Sequence, residues 1–325
     1  MDAGTTRTRA WLVRGERIAA RRDAVVGARD TARHGDEGPL RAALRESIAV
    51  LLDGAGRDAP AHIVAAGMIT SAEGLVEVPH LVAPAGVADL AAAVQEKRFP
   101  DISDLPFVLI PGVRTTAIPG ISSGIGATDV MRGEETLGMG LLRQGRLVRG
   151  GALFNVGSHW KLVRIDDRGR IAWSVTSLAG EMMHAARRDT ILASALPDGP
   201  LATLDVPRFL EGMAESRRSG LARALFCVRL LQLGGAAPAE GRLSFLTGAF
   251  VAADLDRILA NGWLPAGTPV TVVGDEKLGG AWRAALGPLG FAVQSLAEDE
   301  AEAAFVAGAC AIMDARAART GAAAG

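Results

Sequence analysis

Lysine is almost missing from this chain. Of 35 basic residues only Lys97, Lys161 and Lys277 are lysines, and the rest are arginine. A basic excess is missing as well, because 35 Lys and Arg stand against 36 Asp and Glu, for a net charge of -1. That balance leaves no cationic field for nucleic acid and no charged tail for a partner. Cysteine is limited to Cys227 and Cys310, each inside a short apolar run. Two such residues make neither a disulfide framework nor a metal-ligand spacing, and they read as small core residues. No apolar signal region opens the chain and no apolar stretch is long enough to cross a bilayer, so a cytoplasmic protein without a membrane partner is expected.

What is present is an ordinary folded composition. The 325 residues are 49% hydrophobic and 22% charged, enough for two medium domains, each with its own core. Asp2-Ala3-Gly4-Thr5-Thr6 is turn chemistry, followed by a strand at Ala10 to Val13, a turn at Arg14 to Glu16 and a second strand at Arg17 to Arg22. Leucine and isoleucine recur at helical spacing from Pro39 to Leu52, and His62 to Ala66 reads as a buried strand. Val87 to Lys97 is expected to be helical, Phe107 to Ile110 a strand, Ile118 to Gly126 a loop and Asp129 to Arg143 a helix. Later helices are expected at Met182 to Ala193, Pro207 to Gly212, Gly220 to Leu233, Glu240 to Leu259, Trp282 to Leu289 and Glu300 to Ala315, with a strand at Val270 to Val273.

The pattern restarts near the middle. Asn155-Val156-Gly157-Ser158-His159, a strand and then Gly169-Arg170-Ile171-Ala172 follow the order of Asp2 to Thr6, a strand and then Gly15-Glu16-Arg17-Ile18-Ala19. A Gly-hydroxyl hairpin presents several backbone N–H groups at short range, and glycine lets the backbone approach a ligand. Two of them facing each other can grip a polyphosphate. Either hairpin taken alone reads more simply as an ordinary β-turn. The Gly-x-x-x-x-Gly-Lys-Ser/Thr loop that leads into a helix is absent.

Asp2 to Leu12, with its Asp-x-Gly-Thr-x-x-x-Arg-Ala-Trp-Leu order, resembles the opening of 2-keto-3-deoxygalactonate kinases, within the superfamily of actin, heat-shock chaperones and sugar kinases. Ala65 to Ile69, Ile110 to Val113, Val130 to Thr136, Asn155 to Lys161, Ala179 to Glu181 and Phe245 to Gly248 match that family in order, so the resemblance spans almost the whole chain. It implies an α/β protein of two ribonuclease-H-like domains flanking a nucleotide cleft, the actin-like ATPase fold. The domains would be 1–128 and 129–325, the first on the acceptor side, with the last helix packing back towards it. The implied activity is transfer of the γ-phosphoryl group of ATP, with Mg²⁺, to 2-keto-3-deoxygalactonate, giving its 6-phosphate.

The resemblance also assigns roles. Asp2 would hold the metal. Gly4, Thr5 and Thr6 would line the phosphates from one side, and Gly157, Ser158, His159 and Lys161 from the other, with Gly274 beside the adenosine. Glu134 is the expected catalytic base and Glu135 its rival, because a carboxylate within reach of the acceptor hydroxyl can take its proton. Arg9, Gly67, Ser71, Arg132 and Glu181 would line the acceptor; Arg132 and Arg9 suit a carboxylate through the planar guanidinium fork.

Ala179 stands where the family usually has Thr, and Leu75 replaces a frequent Trp. Family members also begin with a full apolar strand before the Asp, whereas only Met1 precedes Asp2. A truncated first strand, or a misassigned start codon, is therefore expected. Kinases of other 2-keto-3-deoxy or aldonic acids, and an ATP-binding sensor on the same fold, stay open at this stage, as does a homodimer.

Overall fold

The computed structural model describes residues 1–28, 31–32, 35–56 and 59–323. The first sheet is built from β1 (Asp2–Ala3), β2 (Thr8–Arg14), β3 (Arg17–Ala24), β4 (Ile63–Gly67), β6 (Gln95–Phe99) and β7 (Ser103–Leu109), in the order β3-β2-β1-β4-β7-β6. A small second sheet has the order β5-β8-β9, from Leu81–Val82, Val113–Thr115 and Asp129–Met131. The third sheet, order β12-β11-β10-β13-β14, uses β10 (Ala152–Val156), β11 (Trp160–Ile165), β12 (Ile171–Ser177), β13 (Val270–Gly274) and β14 (Val293–Leu296).

The first and third sheets repeat one plan. β1 and β10 each pair antiparallel with the strand that follows and parallel with a later one, β4 or β13. A parallel neighbour demands a crossover, and helices supply it. They are α1 (Gly38–Asp53) and α2 (Val87–Ala93) in the first half, then α3 (Glu134–Arg143), α4 (Ala179–Arg188), α5 (Val206–Ser219), α6 (Leu221–Leu233), α7 (Ala239–Ala260), α8 (Glu276–Leu286) and α9 (Glu298–Ala323). No described helix is long and apolar enough to cross a membrane.

Buried side chains gather around each large sheet, and a further cluster joins the halves. It runs from Trp11 and Ala66 through Leu137, Leu153 and Val273 to Phe305 and Ile312. The helices that build this joint, α3 and α9, touch backbone to backbone at Gly140 and Gly308. A Cβ on Gly140 would run into the Ala304 carbonyl, and one on Gly308 into that of Thr136. α9 also reaches the first sheet, where buried Glu302 accepts from Trp11 Nε1 at 3.2 Å and from Arg21 at 3.3 Å.

Several elements differ from what the sequence pattern suggests. α2 stops at Ala93, and Gln95–Phe99 is an edge strand whose exposed Glu96, Lys97 and Arg98 hide any apolar alternation. The expected helix from Asp129 is a strand up to Met131, and α3 starts only at Glu134, after Gly133 at φ 108°. α5 runs on to Ser219, and α8 starts at Glu276, where Asp275 caps it by accepting from Lys277 and Leu278 N–H.

The first sheet has a gap. β1 pairs only Asp2 and Ala3 with β2 and β4. Beyond Met1 lies an apolar slot of about 520 Å³ between Ala10–Val13 and Ile63–Val64, walled by Ile48 and Leu51 of α1 and by Phe305 and Ala309 of α9. The Met1 amine sits in it, donating to the Val64 carbonyl at 2.6 Å. Burial lowers its pKa to about 6, against the opposing effect of Asp2.

Two outcomes follow from this packing. Gly308→Ala should lower stability by about 1–3 kcal/mol, read from denaturant unfolding, because neither backbone at the crossing can give way. A segment of about four apolar β-formers placed ahead of Met1 should stabilise the chain by roughly 2–4 kcal/mol, filling the slot as a strand. An Asp/Gly segment of equal length should not, and equal Tm values for the two extensions would show that the slot does not accept a strand.

Candidate active site

Asp2 ends a hairpin whose loop is Gly4 to Arg7. Gly4 N–H donates to the Arg7 carbonyl at 2.8 Å, and Ala28 N–H donates to the Gly4 carbonyl at 3.2 Å. Thr5 and Thr6 are half-buried at its tip. The end of β4 comes against this strand. Gly67 has φ 85°, and a Cβ there would lie 2.7 Å from both the Ala3 carbonyl and Asp2 Oδ1. Gly133 closes the same corner: its Cβ would lie 3.5 Å from Gly67 Cα and 3.7 Å from Asp2 Oδ1. Only glycines allow β4, β1 and the start of α3 to meet here.

Glu134 opens α3 at this corner, where the helix N-terminus favours a carboxylate. Its two oxygens reach across to the second hairpin. Asn155 Nδ2 donates to Oε1 at 3.3 Å, and Lys161 Nζ stands 3.2 Å from Oε2. The register of that hairpin explains the clamp. Asn155 and Lys161 are cross-strand partners on β10 and β11, so their side chains share one face of the sheet. Lys161 is 5% exposed, and its ammonium also donates to the Val130 carbonyl at 3.0 Å. The turn into Glu134 therefore joins the Asp2–Gly67 corner to the two strands that flank the second bend. Gly157 is exposed at the second bend, with Ser158 and His159 half-buried beside it.

Glu135 points the other way. It is fully buried and reaches back to accept the Gly133 N–H at 2.9 and 2.8 Å, and the Thr136 hydroxyl at 3.1 Å. Burial raises its pKa to about 7; the Glu134 charge adds to this, and the hydrogen bonds oppose it. Asp2 is raised to about 6, first by burial and then by Glu134 and Glu302, while Arg9 and the chain terminus pull it down. Arg9 is the cross-strand partner of Asp2.

Arg132 is engaged. Its terminal nitrogens donate to Thr70 Oγ1 at 2.9 Å and the Val78 carbonyl at 3.0 Å, with His80 Nδ1 at 3.4 Å. Ser71 turns back on its own 3-10 turn, its hydroxyl donating to the Met68 carbonyl at 2.8 Å. Glu181 lies with the second hairpin: its N–H donates to the Ser158 carbonyl at 2.8 Å and its carboxylate is 3.8 Å from His159 Nε2. It is thus grouped apart from Gly67, Ser71 and Arg132. Gly274 ends β13 beside the same hairpin, where a Cβ would lie 2.5 Å from the Val156 carbonyl. Sequence reading did not single out Asn155 as a partner of Glu134. The signal was available in the hairpin register, which sets residues 155 and 161 opposite each other across the loop.

These residues suit a magnesium ion that arrives with a polyphosphate. Asp2 is a carboxylate removed from water beside other carboxylates, and Glu134 Oε2 has no hydrogen bond. Among the described residues no three His, Cys, Asp or Glu side chains converge, as a site that binds the ion by itself would require.

Two hairpin-led sheets that repeat one plan are the actin-like ATPase fold, which sugar kinases share. The activator of 2-hydroxyisocaproyl-CoA dehydratase from Clostridium difficile has this fold; its structure aligns with a TM-score of 0.53 at 15% identity, over 98% of this chain and 95% of that one. The pattern that defines the 2-keto-3-deoxy-galactonokinase family matches residues 2–312, and the chain belongs to that family. A Rhizobium meliloti (strain 1021) protein named Probable 2-dehydro-3-deoxygalactonokinase DgoK1 is 31% identical over 313 residues, 93% of this chain and 92% of that protein. A crystal structure from Sinorhizobium meliloti, provisionally assigned the same activity, aligns with a TM-score of 0.74 at 26% identity over 97% of both chains.

The raised pKa of Glu135 makes its ionisation unfavourable to folding. Its contribution is complete below the ordinary value of 4.5 and is lost as the pH rises through about 7. The wild-type Tm should therefore fall more between about pH 5 and pH 8 than that of Glu135→Gln, as differential scanning calorimetry would read.

Proposed function

We propose that this site transfers the γ-phosphoryl group of ATP to the 6-hydroxyl of 2-keto-3-deoxygalactonate, with Glu134 as the base. The observation that carries the reading is the position of Glu134: its helix start adjoins Asp2 through Gly133, and its carboxylate is hydrogen-bonded to Asn155 and ion-paired with Lys161, on the strands that flank the second bend. An acceptor hydroxyl presented to this carboxylate lies where a phosphate held by both bends would arrive.

In the transfer, the acceptor oxygen bonds to the γ-phosphorus as the bond to the bridging oxygen of ADP breaks, and the hydroxyl proton passes to Glu134. The backbone N–H groups and hydroxyls of Thr5, Thr6, Gly157 and Ser158 hold the phosphate oxygens, with His159 beside them, and Gly4 closes the first bend through its bond to the Arg7 carbonyl. Asp2 would hold Mg²⁺ through water, and the ion would supply charge neutralisation on the phosphates. Lys161 and Asn155 fix the carboxylate of Glu134, a role that differs from direct phosphate contact. Gly67 gives the acceptor access to the Asp2 corner. Glu135 shapes the turn at Gly133, and Arg132 holds the turn that contains Thr70.

A coupled ADP-release assay tests this. Glu134→Gln should cut acceptor-dependent turnover by about 10²–10⁴-fold. ADP release that ignores the sugar acid, or a variant as fast as the wild type, would refute it. Lys161→Met should lower kcat and leave the KM for ATP within about threefold, whereas a lysine that binds phosphate would show its loss mainly in that KM.

A further inference from the structure

The small sheet β5-β8-β9 packs one face against β12. Thr115 accepts the Ser174 N–H at 2.9 Å, and Asp129 accepts from the hydroxyls of Ser174 at 2.5 Å and Thr176 at 3.0 Å. Strand alternation sends the next residues to the opposite face. Val82 pairs with Arg114 and Arg114 with Val130, so these three side chains stand in a row. The row is open: Val82 is 50% exposed, Val130 is 56% exposed and Arg114 is exposed. His80 and Arg132, two residues along from Val82 and Val130, extend the same face and meet at 3.4 Å.

This face adjoins the base. The carbonyl of Val130 takes the Lys161 ammonium at 3.0 Å, and that ammonium is 3.2 Å from Glu134. The neighbouring guanidinium is already spent, because Arg132 is bonded to Thr70, Val78 and His80, with Glu135, Glu77 and Glu73 in electrostatic reach. The Arg114 carbonyl accepts from Ala83 N–H at 2.9 Å, but the guanidinium has no hydrogen bond or carboxylate partner among the described residues. The field here is cationic: after burial itself, Arg132, Arg114 and Lys161 lower the His80 pKa to about 4.

We propose that Arg114 is the residue that recognises the acceptor's carboxylate, with Val130 as the apolar floor under its carbon chain and Val82 flanking the guanidinium on the far side. This deepens the kinase reading and rests on it. An extended six-carbon acid separates its carboxylate from its terminal hydroxyl by on the order of 6 Å, given ordinary C–C lengths. Arg114 lies one strand away from Val130, whose carbonyl carries the lysine that holds Glu134, so the hydroxyl can meet the base while the guanidinium meets the carboxylate. A planar fork favours a carboxylate over a neutral group at the same place.

The test is calorimetric binding of 2-keto-3-deoxygalactonate and of its neutral amide, together with turnover. Wild type should bind the acid at least about tenfold more tightly than the amide. Arg114→Gln should weaken acid binding, and raise the acid's KM, by about 10- to 100-fold, leave amide binding and the KM for ATP unchanged, and be partly rescued by Arg114→Lys. Unchanged acid binding in Arg114→Gln, or an equal loss for acid and amide, overturns the assignment. A wild type that neither binds nor phosphorylates the acid overturns the kinase reading itself, a failure visible before any variant is made.

Discussion

The contact on which the site depends is the approach of three backbone segments around the Asp2 carboxylate, with glycine on two of them. Asp2, Gly67 and Gly133 come from β1, from the end of β4 and from the turn into α3. Asp2 Oδ1 lies 2.7 Å from where a Cβ of Gly67 would sit and 3.7 Å from that of Gly133. A methyl group at residue 67 would push β4 off β1 and separate Asp2 from the turn that carries Glu134. Burial then sets the electrostatics. It makes Asp2 and Glu135 resist ionisation; Arg9 opposes this at Asp2, and Lys161 pairs with Glu134, both cations coming from the strands that form the hairpins.

The two sheets contribute differently to a common centre. The first supplies Asp2 and the β4 turn, and the third supplies Asn155 and Lys161 as cross-strand partners. Glu134, the proposed base, sits on neither. It is carried by α3, whose N-terminus is fixed by Glu135 folding back on Gly133 and whose body is locked against α9. Glu134 and Glu135 are adjacent in sequence and opposite in direction for this reason: one reaches the strands of the second hairpin, and the other is part of the turn that aims it.

Much of this was legible in the sequence. The two Gly-hydroxyl bends, the strands beside them and the repeat of plan all leave local signals in glycine, hydroxyl and apolar placement. The motif around Glu134 was legible too, but not the division of labour within it, which depends on which carboxylate a helix start turns inward. Lys161 read as a phosphate contact because a strand lysine near a bend has no local mark of its partner; only the 155–161 register shows it beside Glu134. β6 and β9 were hidden because an exposed edge strand and a three-residue strand lack the alternation that periodicity detects. Arg114 carries no motif at all, and its place on an open face appears only once β5, β8 and β9 are paired.

The path of α9 bears on how the protein is made. The first sheet is complete in sequence by Leu109, yet Trp11 and Arg21 find their carboxylate on Glu302, and the apolar joint closes only with Phe305 and Ile312. A chain leaving the ribosome therefore exposes the apolar underside of its opening half through most of synthesis. The joint that covers this underside is complete only when the closing helix has emerged.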